Sequence, residues 1–303
     1  MSTLSSISNA ANLELRPVAG SIGAQVDGIR LSSDLPSEQV AAVRRALCHY
    51  KVLFFREQGH LDDQEHEAFA KLFGEILNHP TVPVAPGTRH ITELDSRRNE
   101  RANFWHTDIT YTDTPALASF LRAVIVPEFG GDTVWANCVT AYERLPADLK
   151  EFADKKRVVH GNVREDVDYL TEARSMMNSF TSTIYEAEHP LVRVHPETGE
   201  RAILLGNYGH KFIGHSGLES QSLFRIFQDA VTQPENTVRW RWRSGDMAIW
   251  DNRSTQHYAI ADYGDETRVM RRVTLVGDVP VGVDGQRSRL LTKRPNPAQL
   301  QAA

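Results

Sequence analysis

Cysteine is nearly absent. Cys48 and Cys138 are the only two in 303 residues, far apart and in no C-x-x-C, so neither a disulfide framework nor a thiolate metal site is expected, and the expected compartment is the cytoplasm. An excess of basic charge is missing as well: 34 Lys and Arg stand against 39 Asp and Glu, a formal net charge of −5. That balance excludes nucleic acid and anionic membrane surfaces as the main partner, because neither attracts an acidic protein. Any bound anion must then be held by a local cationic site. No stretch approaches the roughly 18 apolar residues of a membrane span, and the opening MSTLSSISNAANLELRP has no basic region followed by an apolar run, so neither insertion nor export is expected. Fixed-period repeats, low-complexity tracts and Gly/Ser linkers are lacking too.

What is present is an ordinary globular composition, 41% hydrophobic and 24% charged, and it suits a single catalytic domain over residues 12–283 with flexible tails at 1–11 and 284–303. Helical spacing of apolar residues predicts helices at 37–50, 61–73 and 217–230, the last with Leu218, Phe224 and Phe227 apolar, and a weaker one at 139–154. Short β-type runs surround them, at 51–55, 116–126, 132–137, 190–194, 202–205, 238–243, 247–250 and 271–277. Many short strands separated by Gly and Pro turns, with few helices between them, predict a mainly β fold with flanking helices: a double-stranded β-helix, or jelly roll. In V-R-W-R-W-R, strict alternation puts Trp240 and Trp242 on one face and three arginines on the other, the pattern of a half-buried strand. The polar, irregular stretch 164–183 is the candidate for a mobile cover.

The strongest chemical signal is N-F-W-H-T-D at 103–108. In an extended segment positions i and i+2 point to one side, so His106 and Asp108 can converge on one metal. Two other pairs share the pattern. His60 and Asp62 precede a helix, where Asp62 or Asp63 serves better as an N-cap, and His195 with Glu197 lies in H-P-E-T-G-E, a turn sequence; both are expected in surface loops. Phe104 and Trp105, beside His106, can shield a metal from water. The partner is W-D-N-R-S-T-Q-H-Y-A at 250–259, ending near His257 and followed by Arg268, Arg271 and Arg272. Two imidazoles and a carboxylate on one face leave open positions and suit Fe(II). The arginines fit an oxo-acid that chelates the iron at one end and meets a guanidinium at the other. Trp250 is expected to be core packing, and His189, His210 and His215 support no second site.

The motifs H-T-D, G-G-D-T, W-D-N-R-x-T-Q-H-Y-A and R-x-x-x-R resemble the TauD/TfdA family, and further shared stretches at 21–31, 79–84, 188–200 and 271–280 extend the resemblance over nearly the whole chain. Within that family the chain resembles the alkylsulfate dioxygenase branch. The resemblance implies Fe(II) on His106, Asp108 and His257, with 2-oxoglutarate and O2 as cosubstrates. It also implies that Arg268 and the Thr133 hydroxyl hold the C5 carboxylate of 2-oxoglutarate, while Arg272 and His79 hold the substrate's anionic head. Val82 and Phe104 match positions where taurine-specific members place polar partners for an amine, and Ile109 completes an apolar wall. Burying an ammonium there is costly, which favours an alkyl sulfate, cleaved to aldehyde and sulfate with succinate and CO2 formed. Taurine, other sulfonates and aryloxyalkanoates remain open as substrates. Readings of another class are a metal-dependent sulfatase-type hydrolase and a non-catalytic anion-binding jelly roll. The family also implies a homo-oligomer, dimer or tetramer.

Overall fold

The computed structural model of the chain describes residues 13–98, 102–163 and 183–296. In chain order it contains β1 (Glu14–Pro17), β2 (Ala24–Asp27), α1 (Ser37–Tyr50), β3 (Val52–Phe55), α2 (Asp63–Lys71), β4 (Ile76–Leu77), β5 (Thr92–Asp95), β6 (Ala118–Ile125), β7 (Thr133–Asn137), α3 (Cys138–Glu143) and α4 (Ala147–Asp154). There follow β8 (Arg157–Gly161), β9 (Thr183–Pro190), β10 (Val192–Val194), β11 (Arg201–Ile203), β12 (Gly209–Phe212), α5 (Gly217–Val231), β13 (Thr237–Trp240), β14 (Met247–Asp251), β15 (Thr255–Ala259), β16 (Val269–Leu275) and β17 (Arg289–Pro295).

Period-two alternation explains the layers. In β3, Leu53 and Phe55 join one core while Val52 and Phe54 join another; in β14, Met247 and Ile249 take the first and Ala248 and Trp250 the second. The sheet that contains these strands is therefore buried on both faces, which is why its strands read as unbroken apolar runs. Its order is β1-β2-β3-β14-β6-β16-β4, with β5 also on β16. On one face α1 and α2 cover it through Val43, Leu47 and Phe69. On the other, Trp135, Val238 and Trp240 from the sheet β13-β7-β15 fill the gap. Two facing sheets with helices outside form the jelly-roll sandwich. A four-stranded sheet, β12-β8-β9-β17, and the hairpin β10-β11 complete the described part.

The structure departs from the sequence reading at several places. The expected helix 139–154 is two helices, because Pro146 cannot continue α3 and instead caps α4. The expected helix 61–73 shortens to α2, with the Asp62 carboxylate accepting from the Glu65 N–H. Leu218 of α5 is 77% exposed, on the solvent side of a helix that buries Phe227 and Val231. The run 190–194 divides between β9 and β10. The expected tail from 284 is not one throughout, since β17 pairs antiparallel with β9. His195, expected in a surface loop, is 1% exposed: the turn joining β10 and β11 exists, but its histidine points inward. Residues 1–11 and nearly all of the expected cover at 164–183 lie outside the described residues; Thr183 itself begins β9.

Candidate active site

All ten residues singled out in the sequence line one cavity between the two facing sheets: His79, Val82, Phe104, His106, Asp108, Ile109, Thr133, His257, Arg268 and Arg272. The fold brings them together by backbone pairing. His106 forms an isolated antiparallel bridge to His257 of β15, the His106 N–H donating to the His257 carbonyl at 3.0 Å and the reverse bond at 2.8 Å. Residues directly opposite in such a pair present side chains to one face, and the two imidazole centroids lie 4.1 Å apart. Asp108 follows two residues later, and its Oδ1 is 3.9 Å from Nε2 of each histidine.

The donor set fits a metal ion. His106 Nδ1 lies 2.8 Å from the Phe104 carbonyl, which fixes the hydrogen on Nδ1 and leaves the Nε2 lone pair toward Asp108 and His257. Burial lowers the pKa of both imidazoles, so both are neutral donors. Burial opposes ionisation of Asp108 too, but the Arg272 guanidinium, with the Ser119 hydrogen bond, outweighs it and holds the carboxyl below the usual range. The three ligand atoms lie within 4.8 Å of one another. Two His and one Asp are the donor types of a facial triad for Fe(II).

Around Asp108 is a buried polar network. Ser119 Oγ of β6 donates to Asp108 Oδ2 at 2.7 Å, Asn252 Nδ2 donates to Ser119 Oγ at 3.0 Å, and Trp250 Nε1 donates to Asn252 Oδ1 at 3.0 Å. Arg272 of β16 donates to Asp108 Oδ1 at 2.7 Å. The residue after the aspartate, Ile109, has φ +62°, rare and strained for a β-branched side chain. Its neighbour is clamped: the His189 Nε2–H donates to the Thr110 carbonyl at 2.6 Å, and His189 Nδ1 meets the Ser288 hydroxyl at 2.7 Å.

At another part of the cavity wall Arg268 is 7% exposed. Its Nε donates to the Gly131 carbonyl at 2.9 Å and its NH2 faces Thr133 Oγ1 at 3.5 Å. No carboxylate of the described residues pairs with it, whereas the buried Arg193 and Arg253 pair with Asp278 and Asp251. A buried guanidinium without a carboxylate is a ready anion site. Arg272 also lines the cavity with a buried, unpartnered Nε. His79 Nδ1 accepts the Val82 N–H at 3.0 Å, so its neutral ring carries its hydrogen on Nε2, and burial, together with nearby Arg272, pushes its pKa down to about 3.

Sequence reading missed Ser119, Asn252 and Tyr208, and placed Trp250 in the core alone, although it also lines the cavity. A serine inside the apolar run 116–126 was the available signal, since a buried hydroxyl needs a partner. Trp105, expected to shield the metal, instead packs on Tyr258 and the core under α5. Phe104 and Tyr208 are the aromatics beside His106.

The family model described as "Taurine catabolism dioxygenase TauD, TfdA family" matches residues 14–274. An alpha-ketoglutarate-dependent sulfate ester dioxygenase of Pseudomonas putida is 53% identical over 96% of this chain and 98% of its own length. An alkylsulfatase of Acinetobacter baylyi is 51% identical over 96% and 94%. The crystal structure of a taurine dioxygenase from Burkholderia xenovorans superposes with a TM-score of 0.79 at 37% identity, covering 92% of this chain and 96% of that one.

Proposed function

The chain belongs to the taurine catabolism dioxygenase TauD, TfdA family, and on that premise we propose that it is an Fe(II)- and 2-oxoglutarate-dependent dioxygenase that cleaves alkyl sulfate esters to aldehyde and sulfate. The observation that carries this reading is the pairing, in one cavity, of two neutral imidazoles and the Asp108 carboxylate with Arg268, a buried cation that no carboxylate of the described residues pairs with. The two similar proteins named for sulfate ester and alkyl sulfate chemistry support the substrate class.

His106, Asp108 and His257 would hold Fe(II), which supplies O2 activation coupled to oxidative decarboxylation of 2-oxoglutarate to succinate and CO2. Arg268 and the Thr133 hydroxyl receive the far carboxylate of 2-oxoglutarate, so that its oxo-acid end is aimed at the metal ligands. Arg272 and the Nε2–H of His79 receive the sulfate head. Arg272 then exchanges part of its contact with Asp108 for the substrate, while Ser119 keeps the carboxylate oriented through Oδ2. Val82, Phe104, Ile109 and Leu94 offer an apolar wall to the alkyl chain and exclude water. One atom of O2 enters the substrate as a hydroxyl on the carbon bearing the ester oxygen, and the other ends in succinate. The carbon–oxygen bond to the sulfate then breaks, sulfate leaves with the electron pair, and the hydroxyl proton is released as the aldehyde forms.

The lack of a carboxylate or amide among Val82, Phe104 and Ile109 disfavours an ammonium substrate such as taurine at this wall. The same reading places the protein in the cytoplasm as a homo-oligomer, dimer or tetramer; no described helix is long and apolar enough to cross a membrane. Anaerobic protein with Fe(II), 2-oxoglutarate and a panel of alkyl sulfates, taurine and aryloxyalkanoates, then exposed to O2, tests the proposal. Succinate matched by sulfate and aldehyde is expected from alkyl sulfates. Succinate with taurine or an aryloxyalkanoate alone would move the substrate, alcohol formed without O2 would mean hydrolysis, and no turnover with intact anion binding would mean a binding module.

A further inference from the structure

We infer that Trp242 is a positioning residue that fixes the direction of the Thr133 hydroxyl hydrogen toward the cosubstrate's far carboxylate. The inference rests on the reading that Arg268 and Thr133 receive that carboxylate. Trp242 does not line the cavity; it is 4% exposed in the stretch after β13 and packs on Trp135 at 6.2 Å between ring centroids. Its single polar atom, Nε1, donates to Thr133 Oγ1 at 3.0 Å.

The chemistry of that oxygen decides the rest. A threonine hydroxyl has one hydrogen and two lone pairs, whereas an indole N–H and a guanidinium are donors only. Trp242 occupies one lone pair, and NH2 of Arg268 faces the same oxygen at 3.5 Å. Neither neighbour can accept the hydroxyl hydrogen, and no described residue accepts it. The side left open faces the cavity, which Thr133 and Arg268 line together. Two donors behind the oxygen thus force its hydrogen forward, giving an arriving carboxylate a preoriented O–H donor beside the guanidinium. Were residue 242 without an N–H, the hydroxyl could rotate and offer a lone pair to the carboxylate instead, which repels it.

The test separates hydroxyl direction from packing. Metal-loaded, anaerobic protein is titrated calorimetrically with 2-oxoglutarate and with 2-oxopentanoate, which keeps the oxo-acid end and replaces the far carboxylate with a methyl group. Trp242→Phe is expected to weaken 2-oxoglutarate about 3- to 10-fold, the range of one neutral hydrogen bond, and to leave 2-oxopentanoate unchanged. Thr133→Val should weaken 2-oxoglutarate at least as much, and the double variant should lose no more than Thr133→Val alone, because the indole acts through the hydroxyl. Should Trp242→Phe fold poorly, benzothienylalanine at position 242 keeps the ring shape and removes only the N–H. Unchanged 2-oxoglutarate affinity, equal weakening of both ligands, or additive losses would overturn the inference. Arg268→Met distinguishes the underlying reading: if it leaves 2-oxoglutarate affinity intact, the carboxylate site itself is wrong, whereas a loss there with a silent Trp242→Phe removes only the role of the indole.

Discussion

Two clusters of metal-ligating side-chain types flank the segment joining β14 to β15, one fully buried and one with a half-buried cysteine, and of these two only the first is open to a ligand. His106, Asp108 and His257 form the first; Cys48, His195 and Asp251 form the second, its ligand atoms equally within 4.8 Å of one another. In the second, His195 Nδ1 accepts the N–H groups of Glu197 and Thr198 at 3.2 Å each, so Nε2 carries the hydrogen and donates it to Asp251 at 3.0 Å. Arg253 takes both oxygens of that carboxylate. Burial and the nearby Asp251 and Glu197 carboxylates push the Cys48 thiol up to about 11, so it is no thiolate. In the first cluster the hydrogen sits on the outer nitrogen of His106 and the inner one is bare. Residue types alone do not make a metal site; the hydrogen-bond partners that set each tautomer do.

The sharpest way to break the comparison is to remove one member from each cluster. His106→Ala should abolish Fe(II)-dependent succinate formation. It should also erase the metal-induced stabilisation, about 2.7 kcal/mol at 100 times Kd, expected in thermal melts of the parent protein. Retained stabilisation would mean that the ion binds elsewhere. Asp251→Ala should leave metal binding by the folded protein intact but lower stability by about 3–5 kcal/mol in denaturant titrations, because it takes from the buried Arg253 one of its two carboxylates, leaving Glu197 alone, and takes from His195 its acceptor. A metal affinity that fell with Asp251→Ala would contradict the assignment of that cluster to structure.

Buried imidazoles outside both clusters give the next effect. Burial, reinforced by Arg122, pushes His66 down to about 3, and burial pushes His189 down to about 4, against roughly 6.5 in an unfolded chain. Between those values the unfolded chain binds protons that the folded one refuses. Stability is therefore complete above about pH 6.5 and falls as pH drops, by about 2 kcal/mol per histidine at pH 5. Guanidinium midpoints at pH 7.5 and 5.0 check this, and His66→Gln should flatten the slope.

The smallest contrast concerns a glycine beside each cluster. Gly206 has φ +96°, and a Cβ there would stand 3.1 Å from the His106 Cα; Gly199, in the His195 turn, has φ +73° with open space around it. Gly199→Ala should cost about 1–2 kcal/mol of backbone strain alone, with turnover unchanged. Gly206→Ala should cost at least as much and also lower the metal affinity, because the His106 backbone must shift. Equal metal affinity in the two variants would show that the bridge to His257 tolerates such a shift.

Much of the site was legible in the chain because its parts lie in short extended motifs. The i, i+2 spacing of His106 and Asp108 and the four-residue spacing of Arg268 and Arg272 put each pair on one face of a strand-like segment, and strand faces follow from period two. The apolar runs of β3 and β14 were likewise legible as strands, although only the packing shows that their sheet is buried on both faces. What could not be read depended on contacts far apart in sequence. Ser119 is an ordinary serine until β6 sets it against Asp108, and His195 belongs to a turn sequence whose ring only the packing of β14 turns inward. Trp242 reads as half of an alternating stripe and gains a second partner when β13 pairs with β7 beside Thr133.

By itself, then, the sequence determined the residue types, their local faces and the presence of cations without obvious partners, since propensity and alternation act over a few residues. Only the tertiary structure decided which histidine nitrogens stay bare, which arginine has no carboxylate and which hydroxyl is steered. Those outcomes depend on hydrogen bonds between residues more than a hundred positions apart, such as Trp242 to Thr133 and Arg272 to Asp108, and on burial that makes each such partner count.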